Sequence, residues 1–179
     1  MEQLFLYATS HFAHECDWER YYDLCPEDDG IVRSFGSTLF LTDFFHDGHI
    51  PPEIGLLSHL EAIEFDEAQL VPQIDAFLPL ESPNSLASLQ HLQLSSSKMT
   101  GSIPSTLGLL TSLTHLDLSN NKLTSTIPSE LGLLLNLTTL ILSSNEISGT
   151  IPEELDQLSL LTVVQLEGNP ALEPWVPLG

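Results

Sequence analysis

Two histidines stand 24 residues apart, His91 and His115, and an aspartate, Asp117, follows the second by two. Two imidazoles and a carboxylate on one surface can hold a transition metal. On a solvated face the same groups serve as polar contacts, and the pattern alone assigns no metal. Closely spaced acids before a glycine, PEDDGI at residues 26–31, raise calcium. They lack the alternating oxygen ligands and distal glutamate of an EF-hand loop, so the stretch reads as a turn. No G-x-S-x-G, H-E-x-x-H or phosphate-binding loop occurs. The residue types predict no enzyme and no cofactor.

What must position the histidines is a repeat. Leu110, Leu113, Leu116 and Leu118 return as Leu134, Leu137, Leu140 and Leu142, and 134 − 110 gives a period of 24. The same pattern appears one period earlier at Leu86, Leu89, Leu92 and Leu94, and one later at Leu158, Leu161, Val164 and Leu166. Asn121, Asn145 and Asn169 align, as do Ile103-Pro104, Ile127-Pro128 and Ile151-Pro152. Self-similarity at a period of about 20 to 29 residues predicts a leucine-rich solenoid. Leu116 and Leu118, two apart, face one side of a strand, and His115 and Asp117 face the other. Asn121 sits where its amide can satisfy backbone groups left unpaired by a turn. Leu123, Ile127 and Leu131 point inward on the return path.

One copy cannot stand alone. Each buried Leu contributes about 1.5–3 kcal/mol. Ordering the backbone costs about 1–2 kcal/mol per residue. With about seven core residues per turn, the repeats must stack into a parallel sheet to be stable. Toward the N-terminus the copies decay. The copy at Leu57 is followed by that at Leu86, and 86 − 57 is 29, which places five extra residues in a surface loop within LESPNS. The expected organisation is a cap over residues 1–30 with a short helix, about six repeats over 31–170, and a cap or tail over 171–179. Trp175 either covers the last layer or belongs to a frayed tail.

The copies LSSSKMTGSIPSTLG, LSNNKLTSTIPSELG and LSSNEISGTIPEELD resemble the plant-type leucine-rich repeat, with its L-x-G-x-I-P segment. HECDWERYYDLC, with Cys16, Trp18 and Cys25, is similar to the N-terminal cap of that family. The resemblance implies an α/β-type repeat solenoid, a right-handed curved horseshoe with a parallel sheet on its concave face and a second short sheet beside the I-P segment. It also implies a Cys16–Cys25 disulfide, in a cap rather than beside a base in a cleft. The activity implied is non-enzymatic recognition of a protein, peptide or glycan by a receptor-like ectodomain. A secreted inhibitor of a cell-wall carbohydrate-active enzyme is the alternative within the family.

The chain has 25 acids against 4 bases, a net charge of −21. Nucleic acid is excluded as a direct partner, because binding it needs phosphate neutralisation by Lys and Arg. A basic ligand fits, and the charge also keeps a monomer soluble. No apolar run is long enough to span a bilayer. MEQLFLYATS carries an acid where a secretory signal needs bases, whereas a Cys-pair cap suits an oxidising compartment. Asn136-Leu137-Thr138 is a glycosylation sequon. These features predict an extracellular or cell-surface location and a piece of a longer secreted or membrane-anchored chain.

Outward strand positions form the candidate binding face: Thr38, Phe40, Ala62, Glu64, His91, Gln93, His115, Asp117, Thr139, Ile141, Val163 and Gln165. Asp66, Glu67, Gln69, Lys98, Lys122 and Glu146 follow the strands. The predicted contacts are Glu64, Asp66, Glu67, His91, Gln93, His115, Asp117, Thr139 and Ile141. Two Ser/Thr columns, Ser102-Thr126-Thr150 and Thr100-Thr124-Ser148, lie beside the Ile-Pro pairs. A regular hydroxyl array can match an ice lattice, and hydroxyls also satisfy turn backbone.

Overall fold

The computed structural model describes residues 31–35, 38–42, 60–66 and 86–174. Eleven strands appear among them: β1 (Ile31–Phe35), β2 (Thr38–Thr42), β3 (Ala62–Asp66), β4 (His91–Gln93), β5 (Thr100–Ser102), β6 (His115–Asp117), β7 (Lys122–Thr124), β8 (Thr139–Ile141), β9 (Ser148–Gly149), β10 (Val163–Gln165) and β11 (Ala171–Leu172). One seven-stranded sheet runs β1-β2-β3-β4-β6-β8-β10. From β2 to β10 every pairing is parallel. The period sets the register. Thr38 pairs with Ala62, a step of 62 − 38 = 24. Ala62 pairs with His91, a step of 91 − 62 = 29, so the five extra residues lie between β3 and β4. His91, His115, Thr139 and Val163 then follow at 24.

One strand of this sheet is not a repeat strand. β1 pairs with β2 antiparallel, with Phe35 opposite Thr38. IVRSF and TLFLT are two strand-forming runs separated in sequence by Gly36-Ser37, a hairpin pattern.

Apolar alternation becomes core. Leu92, Leu116 and Leu140 on the strands are fully buried, as are Leu89, Leu113 and Leu137 before them and Leu94, Leu118 and Leu142 after them. Leu107, Leu131 and Leu155 close the return limb from the opposite side. That limb is a single 3-10 turn in each of three described repeats, at Ser105–Leu109, Ser129–Leu133 and Glu153–Gln157. The α-helix that an α/β-type repeat implies is replaced there by a tighter form. Pro104, Pro128 and Pro152, each with φ between −72° and −61°, start these turns, at the point where a missing N–H removes no intrahelical bond. The turns stack backbone to backbone: a Cβ on Gly132 would lie 2.7 Å from the Glu154 carbonyl oxygen.

The asparagine column does more than finish a local turn. The Asn145 Nδ2 group donates to the carbonyls of Leu142 at 3.0 Å and Ser143 at 3.3 Å in its own repeat, and to Leu118 at 3.0 Å in the repeat before. Its Oδ1 accepts the Leu123 N–H at 3.0 Å. Asn121 repeats the pattern onto Leu94 and Leu118, and its Oδ1 accepts from both Ser97 and Met99. Asn169 donates to Leu142 and Leu166 and accepts from Ile147. All three side chains are buried, so each bond removes a debt that water cannot settle.

Two short sheets, β5-β7 and β9-β11, flank the main one. Ser102 pairs with Thr124, a step of 124 − 102 = 22, not 24. The slip of two keeps side chains on their original face but shears the array. Ser102 stands beside Thr124, not Thr126, and the two expected hydroxyl columns do not form as drawn. Gly101 and Gly149 hold positive φ on this flank, and Ser125 holds the same place at φ +68°. No helix among the described residues is long and apolar enough to cross a membrane.

Replacing Asn145 with Ala leaves the Leu123 N–H buried and unpaired and removes one of the two asparagine donors from each of the Leu118 and Leu142 carbonyls, which keep Asn121 and Asn169. We expect a loss of about 3 kcal/mol, measured as a lower urea midpoint with little change in m-value.

Candidate functional site

The outward positions of the main sheet form two rows in register. One runs Phe40, Glu64, Gln93, Asp117, Ile141, Gln165. The other runs Thr38, Ala62, His91, His115, Thr139, Val163. Glu64, Gln93, His115, Asp117, Thr139 and Ile141 are half-buried, while His91, Val163 and Gln165 are exposed. Ala62 is buried, although it lies in the outward row. The sheet thus brings seven of the nine predicted contact residues, Glu64, His91, Gln93, His115, Asp117, Thr139 and Ile141, onto one face. Asp66 ends the strand β3, opposite Thr42. Glu67, Gln69, Cys16, Trp18, Cys25, the expected cap over residues 1–30 and Trp175 lie outside the described residues.

Lys98, Lys122 and Glu146 are not part of this face. Lys122 begins β7, and Lys98 and Glu146 occupy the equivalent places beside β5 and β9. Each stands immediately after the buried turn column at Ser97, Asn121 and Asn145. The chain has already turned out of the main sheet there, so these charges project from the flank.

The centre of the face is the histidine pair. His91 and His115 are directly opposite across β4 and β6, with ring centroids 5.9 Å apart and planes tilted by 32°. Asp117 lies two residues along β6, and its Oδ1 accepts the Ser119 N–H at 2.9 Å. That bond ties the carboxylate to the strand's exit turn. Among the described residues no three His, Cys, Asp or Glu side chains converge as metal ligands. Burial pushes His115 below its ordinary value of 6.5; Asp117 and Glu64 oppose the shift, and His91 adds to it. Its ring is therefore neutral at pH 7, a donor and an acceptor together. The face grades from Glu64 through the imidazoles to Thr139, Ile141 and Val163: charged, then neutral polar, then apolar.

A third column supports the face from below and carried no predicted role. Thr114, Thr138 and Thr162 each donate a hydroxyl hydrogen bond to the preceding repeat, at 3.0 Å to Gln90, 2.9 Å to Thr114 and 3.2 Å to Thr138. The same carbonyls accept backbone N–H groups from both sides of each strand start. A threonine recurring at 24 just ahead of each outward histidine or threonine was the available signal.

The comparisons agree with the fold. Two family models, each described as leucine rich repeat, match residues 76–123 and 136–158. No curated protein matches the chain by sequence. Among solved structures, one similar chain is the ectodomain of the Arabidopsis thaliana membrane receptor kinase GASSHO1/SCHENGEN3 in complex with CASPARIAN STRIP INTEGRITY FACTOR 2. It is 38% identical with a TM-score of 0.62, over 69% of this chain and 14% of that one. Another is the ectodomain of the Arabidopsis thaliana receptor kinase SOBIR1, 29% identical with a TM-score of 0.60, over 83% of each chain. A third is a plant ice-binding protein, 33% identical with a TM-score of 0.61, over 84% of this chain and 48% of that one. The chain spans only 14% of the length of the GASSHO1/SCHENGEN3 ectodomain, and 19% and 20% of two further receptor structures. The fold and the matches define a leucine-rich-repeat solenoid, a horseshoe segment with its parallel sheet on one face. Its segments MTGSIP, LTSTIP and ISGTIP, variants of L-x-G-x-I-P, and its structural neighbours make the chain a plant-type leucine-rich-repeat protein.

Because the folded His115 binds its proton less readily than the unfolded chain, its contribution to stability is whole above 6.5 and falls as pH drops below it. We expect His115→Gln to lose less stability than the parent between pH 7 and 5, in paired urea titrations. An NMR titration should place the His115 midpoint below 6.5.

Proposed function

We propose that the chain is a non-enzymatic recognition module that takes a peptide or protein along the concave sheet. The observation that carries this reading is the graded double row. Glu64, Gln93 and Asp117 stand beside His91 and His115, and Thr139 and Ile141 continue the same surface in register. Strands about 4.8 Å apart present a new side chain to every one or two residues of an extended ligand crossing them. The charge of −21 favours a ligand with a basic segment. The neighbouring GASSHO1/SCHENGEN3 ectodomain was solved with a bound partner, CASPARIAN STRIP INTEGRITY FACTOR 2, which supports assigning a binding role to a scaffold of this kind. On this reading Asp66 and Glu67 extend the acidic end, and the module works at the cell surface or outside it.

Glu64→Lys, Gln93→Lys and Ile141→Lys change the face without touching the asparagine column or the Asp117–Ser119 bond. In capture from cell-surface and secreted extracts at physiological salt, with the affinity of any recovered partner measured in solution, we expect the triple variant to bind at least tenfold more weakly. Tenfold corresponds to about 1.4 kcal/mol. Equal binding by both proteins would sink the concave-face assignment.

A second reading has its own observation. The plant ice-binding protein is similar over most of this chain, and the flank carries exposed Ser102, Thr126 and Thr150 with half-buried Thr124. The two-residue shear of that flank weighs against a lattice match. The recognition reading expects no thermal hysteresis and no faceting of ice crystals at millimolar protein. Hysteresis lost on Thr126→Tyr would move the function to the flank.

A further inference from the structure

We infer that Asn136 is an N-glycosylation site whose glycan covers an apolar ledge on the edge of the solenoid, leaving the concave face as the open surface. Asn136-Leu137-Thr138 is the single sequon in the chain. Asn136 is exposed, on the turn that leads from the 3-10 limb into β8. Its Nδ2 donates one hydrogen bond, 2.9 Å to the Thr111 carbonyl of the preceding repeat. The amide nitrogen carries two hydrogens, and a glycan replaces only one. One N–H therefore remains after attachment to donate to Thr111.

An independent observation lies around that base. Among the described residues, Leu109, Leu133, Leu135 and Leu160 are the large aliphatic side chains exposed outside the strands, at 48%, 56%, 59% and 50%. Leu109 and Leu133 occupy the same place in successive turns, since 133 − 109 is 24. Leu135 adjoins Asn136 in sequence. Leu160 occupies in the next repeat the place that Asn136 holds, since 160 − 136 is 24, and the adjoining Thr162 N–H donates to the Thr138 carbonyl at 2.9 Å. The sequon is thus set among four half-exposed leucines, whereas most other leucines among the described residues are buried. Exposed apolar side chains recurring on neighbouring repeats mark a contact site or an aggregation liability. A second copy is the poorer occupant, because two chains of charge −21 repel. A glycan is bulky and solubilising, and the apolar faces of its sugar rings can rest on leucine.

The test is to secrete the full chain from a glycosylating host and weigh it before and after glycosidase treatment. We expect one N-glycan, absent from Asn136→Gln and from Thr138→Val, the latter keeping the Asn136 amide intact. Both unglycosylated forms should bind an apolar-surface dye severalfold more strongly than the glycosylated parent. Adding Leu133→Ser and Leu160→Ser to Thr138→Val should bring dye binding back to the parent level. A secreted, folded protein of unmodified mass would overturn the modification. A glycosylated protein whose dye binding matches that of Thr138→Val would overturn the shielding. Neither result bears on the concave face, so this inference can fail without the recognition reading failing.

Discussion

The constraint on which this molecule rests is that no repeat can satisfy itself. Leu116 is buried by the leucines before and after it in space, Leu92 and Leu140, which are its partners across the sheet. The carbonyl of Leu118 is satisfied by two asparagines, its own Asn121 and Asn145 of the following repeat. Both the apolar and the polar accounts therefore close only between neighbours, and cooperativity runs along the stack. The asparagine carries the polar half. A buried turn at each strand exit would otherwise leave backbone groups dry and unpaired, and one planar amide serves up to five of them.

That coupling explains which parts of the fold could be anticipated. The strand positions, the inward leucines, the asparagine turns and the 29-residue step were legible because each depends on residue type at a fixed offset. The shear of the flank was not. Its register is decided by where Asn121 sends the chain and by the left-handed residues near Gly101 and Ser125, and these act through backbone geometry that a column of hydroxyls does not display. Nor did the family pattern announce that the return limb is 3-10. That follows from the close approach of stacked turns at Gly132, where an extra Cβ meets the Glu154 backbone. The β1–β2 hairpin did have a signal in the Gly36-Ser37 pair between its two strand-forming runs, which the 24-residue period does not carry.

The candidate face shows the same division. Which residues point outward follows from alternation, and the sheet brings His91, His115, Gln93, Thr139 and Ile141 together as their spacing requires. What each side chain does there depends on its surroundings. Asp117 looks free in sequence, yet one of its oxygens is engaged by its own strand exit. His115 looks like an ordinary imidazole, yet burial makes it bind a proton less readily than a free one. Lys98, Lys122 and Glu146 look like extensions of the face and lie beyond the turn. A two-residue error in where a strand stops is enough to move a charge from the binding surface to the flank.

These facts bear on how such a scaffold can acquire a ligand. The inward leucines, asparagines and turn residues are held by neighbours on both sides, so a change in any of them is felt across the stack. The outward rows are held only by their own strands. His115 differs from Thr139, and Gln93 from Ile141, with no change in the backbone that carries them, because each strand's register is set by its buried face. Recognition chemistry can vary position by position while the architecture stays constant. The gradient from Glu64 to Val163 is then a property that the fold permits rather than requires. A surface free to vary in this way carries its information in side-chain order along the stack, which is the form in which an extended peptide crossing the strands presents its own.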